Sequence, residues 1–215
     1  MTSTLQWRHL ILGPLQTNCF LVADGETGEA VVIDPADEAQ RILAALAEQR
    51  WRLRYILLTH AHFDHFSAAA AVVEATGAKV GLHPLDEPLL RADGGAPLWG
   101  LSLRPCPPPQ LTLTEGQELA IGAHHLTVLH VPGHSPGHTA FYSAEMGILF
   151  GGDVLFKRGV GRTDLWGGDY IALQRSLKEK LFTLPDDTIV HPGHGEFTTI
   201  GDEKRSYRFL DGEYV

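Results

Sequence analysis

At 215 residues the chain is long enough for one domain, spanning 1–215, that buries roughly 70% of its unfolded surface without a disulfide staple. Its 26 acidic side chains against 17 basic ones leave a net charge of −9, which repels a polyanion at long range and argues against nucleic acid as a partner. Cys19 and Cys106 lie far apart, no charged and apolar leader precedes Leu10-Ile11-Leu12, and no apolar run approaches the ~20 residues that span a bilayer, so a cytoplasmic, membrane-free protein with reduced thiols is expected.

Residues 8–34 read as two or three strands. Asn18 to Val22 and Ala30 to Ile33 flank the turn-rich Asp24-Gly25-Glu26-Thr27-Gly28, which predicts a hairpin. Asp34-Pro35 ends the second strand, and Asp37 to Arg50 follows with Ile42, Leu43 and Leu46 at helical spacing. Asp34 then falls at the carboxyl end of a strand, as a turn or cap residue or as a carboxylate that orients a metal-bound histidine.

Arg54 to Leu58 is a short apolar run that predicts a buried strand, and the alanine-rich Phe66 to Thr76, stopped by Gly77, predicts a helix. The loop between them reads Thr59-His60-Ala61-His62-Phe63-Asp64-His65. His60 and His62 are two residues apart, so in an extended segment both imidazoles face one side and can share an ion. Asp64 and His65 come as the chain turns into the helix, and so point toward a second ion. Imidazole and carboxylate suit zinc, iron or manganese.

Ala78 to Leu82 predicts another strand, which gives the first half an alternating α/β pattern. His83 ends it, has no ligand partner at diagnostic spacing and is assigned to structure. Residues 93–109 carry Gly94, Gly95 and five prolines, which predicts a long loop, either a lid over the site or a stiff surface excursion. Short strands then follow at Leu119–Ile121, His125–Val131, Thr139–Ser143 and Gly147–Phe150, an antiparallel second sheet. Asp169 to Phe182 sets Leu173, Leu177 and Leu181 at four-residue steps, an amphipathic helix capped by Asp169, and Thr188 to Val190 predicts the last strand.

Three more loops at strand ends combine glycine with His or Asp: Pro132-Gly133-His134-Ser135-Pro136-Gly137-His138, Gly151-Gly152-Asp153 and Pro192-Gly193-His194-Gly195. Glycine lets the backbone bring a ligand close without a clashing Cβ. With Asn18-Cys19-Phe20, Ile33-Asp34-Pro35 and the histidine-rich loop, these segments resemble the metallo-β-lactamase-fold hydrolases, and most closely their glyoxalase II-like branch. The resemblance implies a four-layer αβ/βα sandwich of two mixed sheets. It also implies two divalent ions, zinc first with iron or manganese as alternatives. By that analogy His60, His62 and His134 hold one ion, Asp64, His65 and His194 hold the other, Asp153 bridges, and Asp64 and Asp153 are the catalytic carboxylates. His130, His138 and His191 flank these positions as supporting or structural residues.

The same resemblance implies hydrolysis of a small-molecule thioester of the hydroxyacylglutathione type. Arg162, in Gly161-Arg162-Thr163-Asp164, falls where that branch contacts a substrate carboxylate; the alternative is pairing with Asp164 or Asp169. Two features depart from full-length glyoxalase II. About twenty residues follow His194, which suggests a short form without the helical C-terminal domain, and Gly195-Glu196 stands where an aromatic residue is usual. The rival reading is a persulfide dioxygenase of the same fold, with His60, His134 and Asp153 around one iron.

Overall fold

The computed structural model describes residues 4–207. Strands β1 (Leu5–Leu12) and β2 (Thr17–Asp24) form a hairpin, and β3 (Glu29–Ile33) pairs antiparallel with β2. Helix α1 (Ala39–Gln49) carries the chain to β4 (Arg52–Leu57), which lies parallel to β3. Helices α2 (Phe63–Phe66) and α3 (Ala69–Thr76) lead to β5 (Lys79–Leu82), and helix α4 (Glu87–Arg91) precedes the edge strand β6 (Leu111–Thr112). Both strands add in parallel, which completes a mixed sheet in the order β1 to β6.

The second sheet begins with β7 (Glu118–Ile121), β8 (His124–His130), β9 (Thr139–Ser143) and β10 (Ile148–Gly152), each antiparallel to the one before. A small hairpin of β11 (Leu155–Phe156) and β12 (Gly159–Val160) and then helix α5 (Tyr170–Glu179) follow. Strand β13 (Ile189–Pro192) joins β10 in parallel, so this sheet is mixed too, and β14 (Thr198–Thr199) and helix α6 (Ile200–Ser206) close the described chain. Among the described residues no helix is long and apolar enough to cross a membrane.

Side-chain alternation along the strands builds four layers. In β2, Leu21 and Ala23 face α1 and α3 together with Val32, Ile42, Ile56 and Val72, while Phe20 and Val22 face the opposite sheet. Phe141 and Phe150 meet them there, and the far side of the second sheet packs Leu149 and Val190 on Leu173 and Leu177 of α5. A strand buried on both faces reads as a continuous apolar run, as β2 does. Asp169 caps α5 by accepting from the Ala172 N–H at 3.0 Å, as its sequence position predicts.

Two expectations need correction. The helix after the histidine-rich loop does not start at Phe66: α2 already includes Asp64 and His65, and the chain kinks at Ser67-Ala68 before α3, which Gly77 ends at φ 71°. The segment 93–109 is not loop throughout, because Asp93–Trp99 coils into 3₁₀ turns. Asp93, Gly94 and Gly95 adopt positive φ, and Ala96 is buried. Proline and glycine, which exclude a regular α-helix, are compatible with this tighter and irregular winding.

The topology gathers the chemistry at one edge. The carboxyl ends of β3 and β4 deliver Asp34 and the Thr59–His65 loop, while those of β8, β10 and β13 deliver the 132–138 loop, Asp153 and His194. The sheets are tied at this edge by Asn18 N–H to the Gly193 carbonyl at 2.7 Å and Thr139 N–H to the Thr59 carbonyl at 2.7 Å.

Candidate metal centre

Seven side chains from four loops converge in three overlapping groups: His60, His62 and His134; His60, His65 and Asp153; Asp64, His65 and His194. Within each group the potential ligand atoms lie within 4.8 Å of one another. Asp153 sits between the groups. Its Oδ2 is 3.7 Å from His134 Nε2 and 3.6 Å from His194 Nε2, and its Oδ1 is 3.5 Å from His65 Nε2. His62 Nδ1 and His134 Nε2 are 2.9 Å apart, and His194 Nε2 is 3.1 Å from Asp64 Oδ2.

The outward-facing ring nitrogens are occupied, which fixes the lone pairs inward. His134 Nδ1 donates to the Arg162 carbonyl at 2.8 Å, His194 Nδ1 to the Leu15 carbonyl at 3.1 Å and His65 Nδ1 to Asp34 Oδ2 at 2.9 Å. The Thr59 hydroxyl donates to Asp34 Oδ2 at 2.7 Å, so its oxygen must accept from His60 Nδ1 at 3.0 Å. Asp34 thereby orients His65 directly and His60 through Thr59. Such outer contacts set tautomer and ring orientation in metal sites.

The inward atoms are left without partners. His60 Nε2, His65 Nε2 and Asp153 Oδ1 are buried and make no hydrogen bond among the described residues. An orphaned buried acceptor costs about 1 to 3 kcal/mol, so three facing one point fit a cation rather than a hydrogen-bonded core. The charges within the cluster are strongly coupled. Burial, then the neighbouring rings, keeps His60 neutral and lowers His62 to about 4. Burial alone would raise Asp153, yet His65, His134 and His194 outweigh it and hold the carboxyl well below the usual range. The opposite balance acts on His65, where burial opposes charge but Asp153, Asp64 and Asp34 raise it.

Close packing holds the loops in place. A Cβ on Gly161 would overlap the Asp153 carbonyl oxygen, and one on Gly193 would overlap Asp153 Oδ1. His138 accepts the Asp153 N–H at Nε2, 3.0 Å away, and its ring stacks on His60 with centroids 5.0 Å apart. Of the other flanking histidines, His130 stacks on His83 at 4.1 Å and His191 lies among Trp7, Phe20, Phe150 and Phe197, both away from the cluster.

One organising residue has no sequence signal. Asp86 is fully buried, and its Oδ2 accepts from Ala61 N–H at 3.1 Å and from the Ser135 hydroxyl at 2.7 Å, while Oδ1 accepts from Gly137 N–H. It clamps the first histidine loop to the 132–138 loop. Asn18 does the same for the last loop, donating to the Pro192 and Gly195 carbonyls at 2.9 and 3.1 Å.

The cluster forms the floor of a cleft of about 920 Å³. Arg162 reaches its rim but is engaged: Nε and Nη2 donate to the two oxygens of Asp164 at 2.7 and 2.8 Å, and both side chains are largely exposed. Of the alternatives open for this residue, pairing with Asp164 is the one seen. Segment 94–104 lines the cleft, which gives it a place at the site rather than a remote surface course.

Comparison with known proteins follows the same lines. The sequence profile of the Metallo-beta-lactamase superfamily matches residues 12–194. A hydroxyacylglutathione hydrolase, GloC of Haemophilus influenzae, is 40% identical over 201 residues, covering 92% of this chain and 94% of that protein. The solved structure of the BLEG-1 B3 metallo-beta-lactamase superposes with a TM-score of 0.86 at 40% identity, covering 95% of this chain and 99% of that one. A di-iron-bound form of TTHA1623 gives a TM-score of 0.86 at 48% identity over 94% of this chain and 99% of that one.

Proposed function

The chain belongs to the metallo-beta-lactamase superfamily, and within it we propose a binuclear hydrolase that cleaves a small-molecule thioester of the hydroxyacylglutathione type. The observation that carries this reading is the position of Asp153 between two separate donor groups. His60, His62 and His134 would hold one ion, Asp64, His65 and His194 the other, and Asp153 both. Zinc is the first choice for this donor set, with iron or manganese as alternatives. Such a pair of ions supplies Lewis acidity and lowers the pKa of water toward neutrality.

The chain's own groups do the rest. Asp64 and Asp153 are the acceptors that orient the attacking water at the cluster. Water oxygen bonds to the acyl carbon, the C–S bond breaks, and carboxylic acid and thiol are released. A thiol of pKa about 8.5 leaves readily as thiolate, so no strong general acid is required. A one-iron dioxygenase would have no use for the third donor group, Asp64, His65 and His194, and that favours the hydrolase. The relative named as a hydroxyacylglutathione hydrolase supports the substrate class.

The test is a substrate panel on metal-replete protein. Hydroxyacylglutathione thioesters should be cleaved equally well with and without oxygen. Rapid oxygen uptake with glutathione persulfide, or turnover of a β-lactam well above that of every thioester, would reverse the assignment.

A further inference from the structure

One side of the cleft is walled by side chains that folding leaves in water. Leu98 is 87% exposed, Trp99 65%, Leu15 53% and Leu101 46%, and all four line the cleft. Single exposed apolar residues are ordinary, whereas several around one concavity mark a binding surface. This wall is anchored at both ends. Gly94 packs so closely on Ala61 and Phe63 that a Cβ would overlap the Phe63 nitrogen, and Leu103 and Cys106 pack against the core. Between them Gly100 N–H donates to the Pro97 carbonyl and Leu101 N–H to the Ala96 carbonyl, each at 3.1 Å. Leu15 approaches from the other flank, where its carbonyl accepts from His194.

The charges here do not invite an anion. Asp37 is itself an acid, and the Arg104 guanidinium is held by Glu74 at 2.8 Å. Arg162, whose carbonyl accepts from His134, is held by Asp164. The wall therefore joins the histidine-rich loop at Gly94, is made of leucine and tryptophan, and among the described residues offers no free cation.

Resting on the thioester reading above, we propose that the acyl arm of the substrate continues, beyond the hydroxyl-bearing carbon next to the carbonyl, as an unbranched apolar chain that lies along Leu15, Leu98, Trp99, Leu101 and Leu103, with the thiol arm toward Arg162. The cleft volume is within the usual range for small-molecule sites and accommodates a chain of several methylenes beyond the carbonyl. Chain length is thus read as buried apolar area, and each methylene on the wall raises kcat/KM by about two- to fourfold.

The experiment uses metal-replete full-length protein and S-acyl thioesters of N-acetylcysteamine from acetyl to octanoyl, with Trp99→Ala and Leu101→Ala beside the wild type. Parallel titrations follow tryptophan fluorescence on binding alkyl thioether analogues, which cannot be hydrolysed. Rising kcat/KM with chain length, and a slope flattened in both variants, supports the proposal. Inert thioesters together with thioethers that bind more tightly as the chain lengthens would overturn the reaction but support the wall as an apolar-chain site. Thioesters cleaved with no dependence on chain length would overturn the wall and leave the reaction standing. Self-association lost in Trp99→Ala, with flat kinetics, would assign the surface to a second copy of the chain and likewise overturn it.

Discussion

Asp34 and His65 are joined by a 2.9 Å hydrogen bond from Nδ1 to Oδ2, and the same carboxylate oxygen accepts from Thr59, whose hydroxyl holds His60. One buried acid thus fixes a histidine in each proposed ligand set. It sits at the end of β3 with φ 50°, a left-handed conformation that Asp tolerates better than most residues.

Asp34→Asn keeps the shape but turns one acceptor into a donor, so the amide nitrogen must confront either the Thr59 N–H, which now donates to Oδ1 at 2.8 Å, or the His65 Nδ1–H and Thr59 hydroxyl, which both donate to Oδ2. Metal affinity should fall about 10- to 100-fold, by the usual loss for an outer partner of a metal-binding histidine. Competition with a chromophoric chelator measures it, with circular dichroism to show the fold intact. Unchanged affinity would mean that Asp34 serves the turn alone.

Metal-replete protein should contain close to two ions per chain, and Asp64→Ala or His194→Ala should lower this to about one. Each variant removes a donor from one group and leaves His60, His62 and His134 intact. Elemental analysis reads the result directly. A stoichiometry of one in the wild type, unchanged in both variants, would defeat the two-ion reading.

Asp86→Asn should destabilise the protein by about 1 to 3 kcal/mol, because the amide nitrogen must confront one of the N–H or O–H groups that the carboxylate now accepts. The loss should appear in the urea midpoint of metal-free protein. Equal midpoints for variant and wild type would show that the clamp contributes nothing in the absence of metal.

The 59–65 loop was legible as a candidate because its four potential donors are close in sequence and their spacing speaks for itself. The 132–138, 151–153 and 193–195 loops became informative only together, since a glycine beside a histidine is common in turns. Asp86 was illegible for a physical reason. It clamps loops up to 51 residues away, and nothing in Pro84-Leu85-Asp86 distinguishes a clamp from a surface turn. Strands β6, β11, β12 and β14 have two residues each, too few to show a period of two. The wall at 94–104 read as loop because proline and glycine report what the backbone cannot do, while the docking of Gly94 against Phe63 joins segments too distant in sequence for any local pattern to announce it.

His191 offers a pH test of the interior. It is 1% exposed, stacks on Phe197 at 4.0 Å, leaves Nδ1 without a hydrogen bond among the described residues, and burial, with a smaller push from His9, lowers it to about 3. It stays neutral in the folded protein while the unfolded chain takes up a proton below about pH 6.5. Between about pH 6.5 and 3 the unfolded state therefore binds more protons, and stability falls as pH falls through that window. The contribution is about 2 kcal/mol at pH 5. His191→Phe should remove that part of the acid sensitivity, so its advantage in urea midpoint over the wild type should grow from pH 7 to pH 5. A constant difference would mean that His191 is not buried neutral.

Arg162 and Asp164 allow the substrate-side proposal to be tested from both partners. A carboxylate on the thiol arm would compete with Asp164 for the guanidinium fork, and the two acids repel each other. Arg162→Ala should raise KM with little change in kcat for a carboxylate-bearing thioester, since such a contact holds ground state and transition state alike. Both side chains are largely exposed, with 54% of Arg162 and 69% of Asp164 in water, so screening keeps the effect to about three- to tenfold. Asp164→Asn should do the reverse and lower KM for the same substrate by freeing the guanidinium. A neutral N-acetylcysteamine thioester should be indifferent to both changes. If it loses as much as the charged substrate, or if Asp164→Asn also raises KM, the pair serves to shape the loop that accepts from His134 at the Arg162 carbonyl, and substrate recognition lies elsewhere in the cleft.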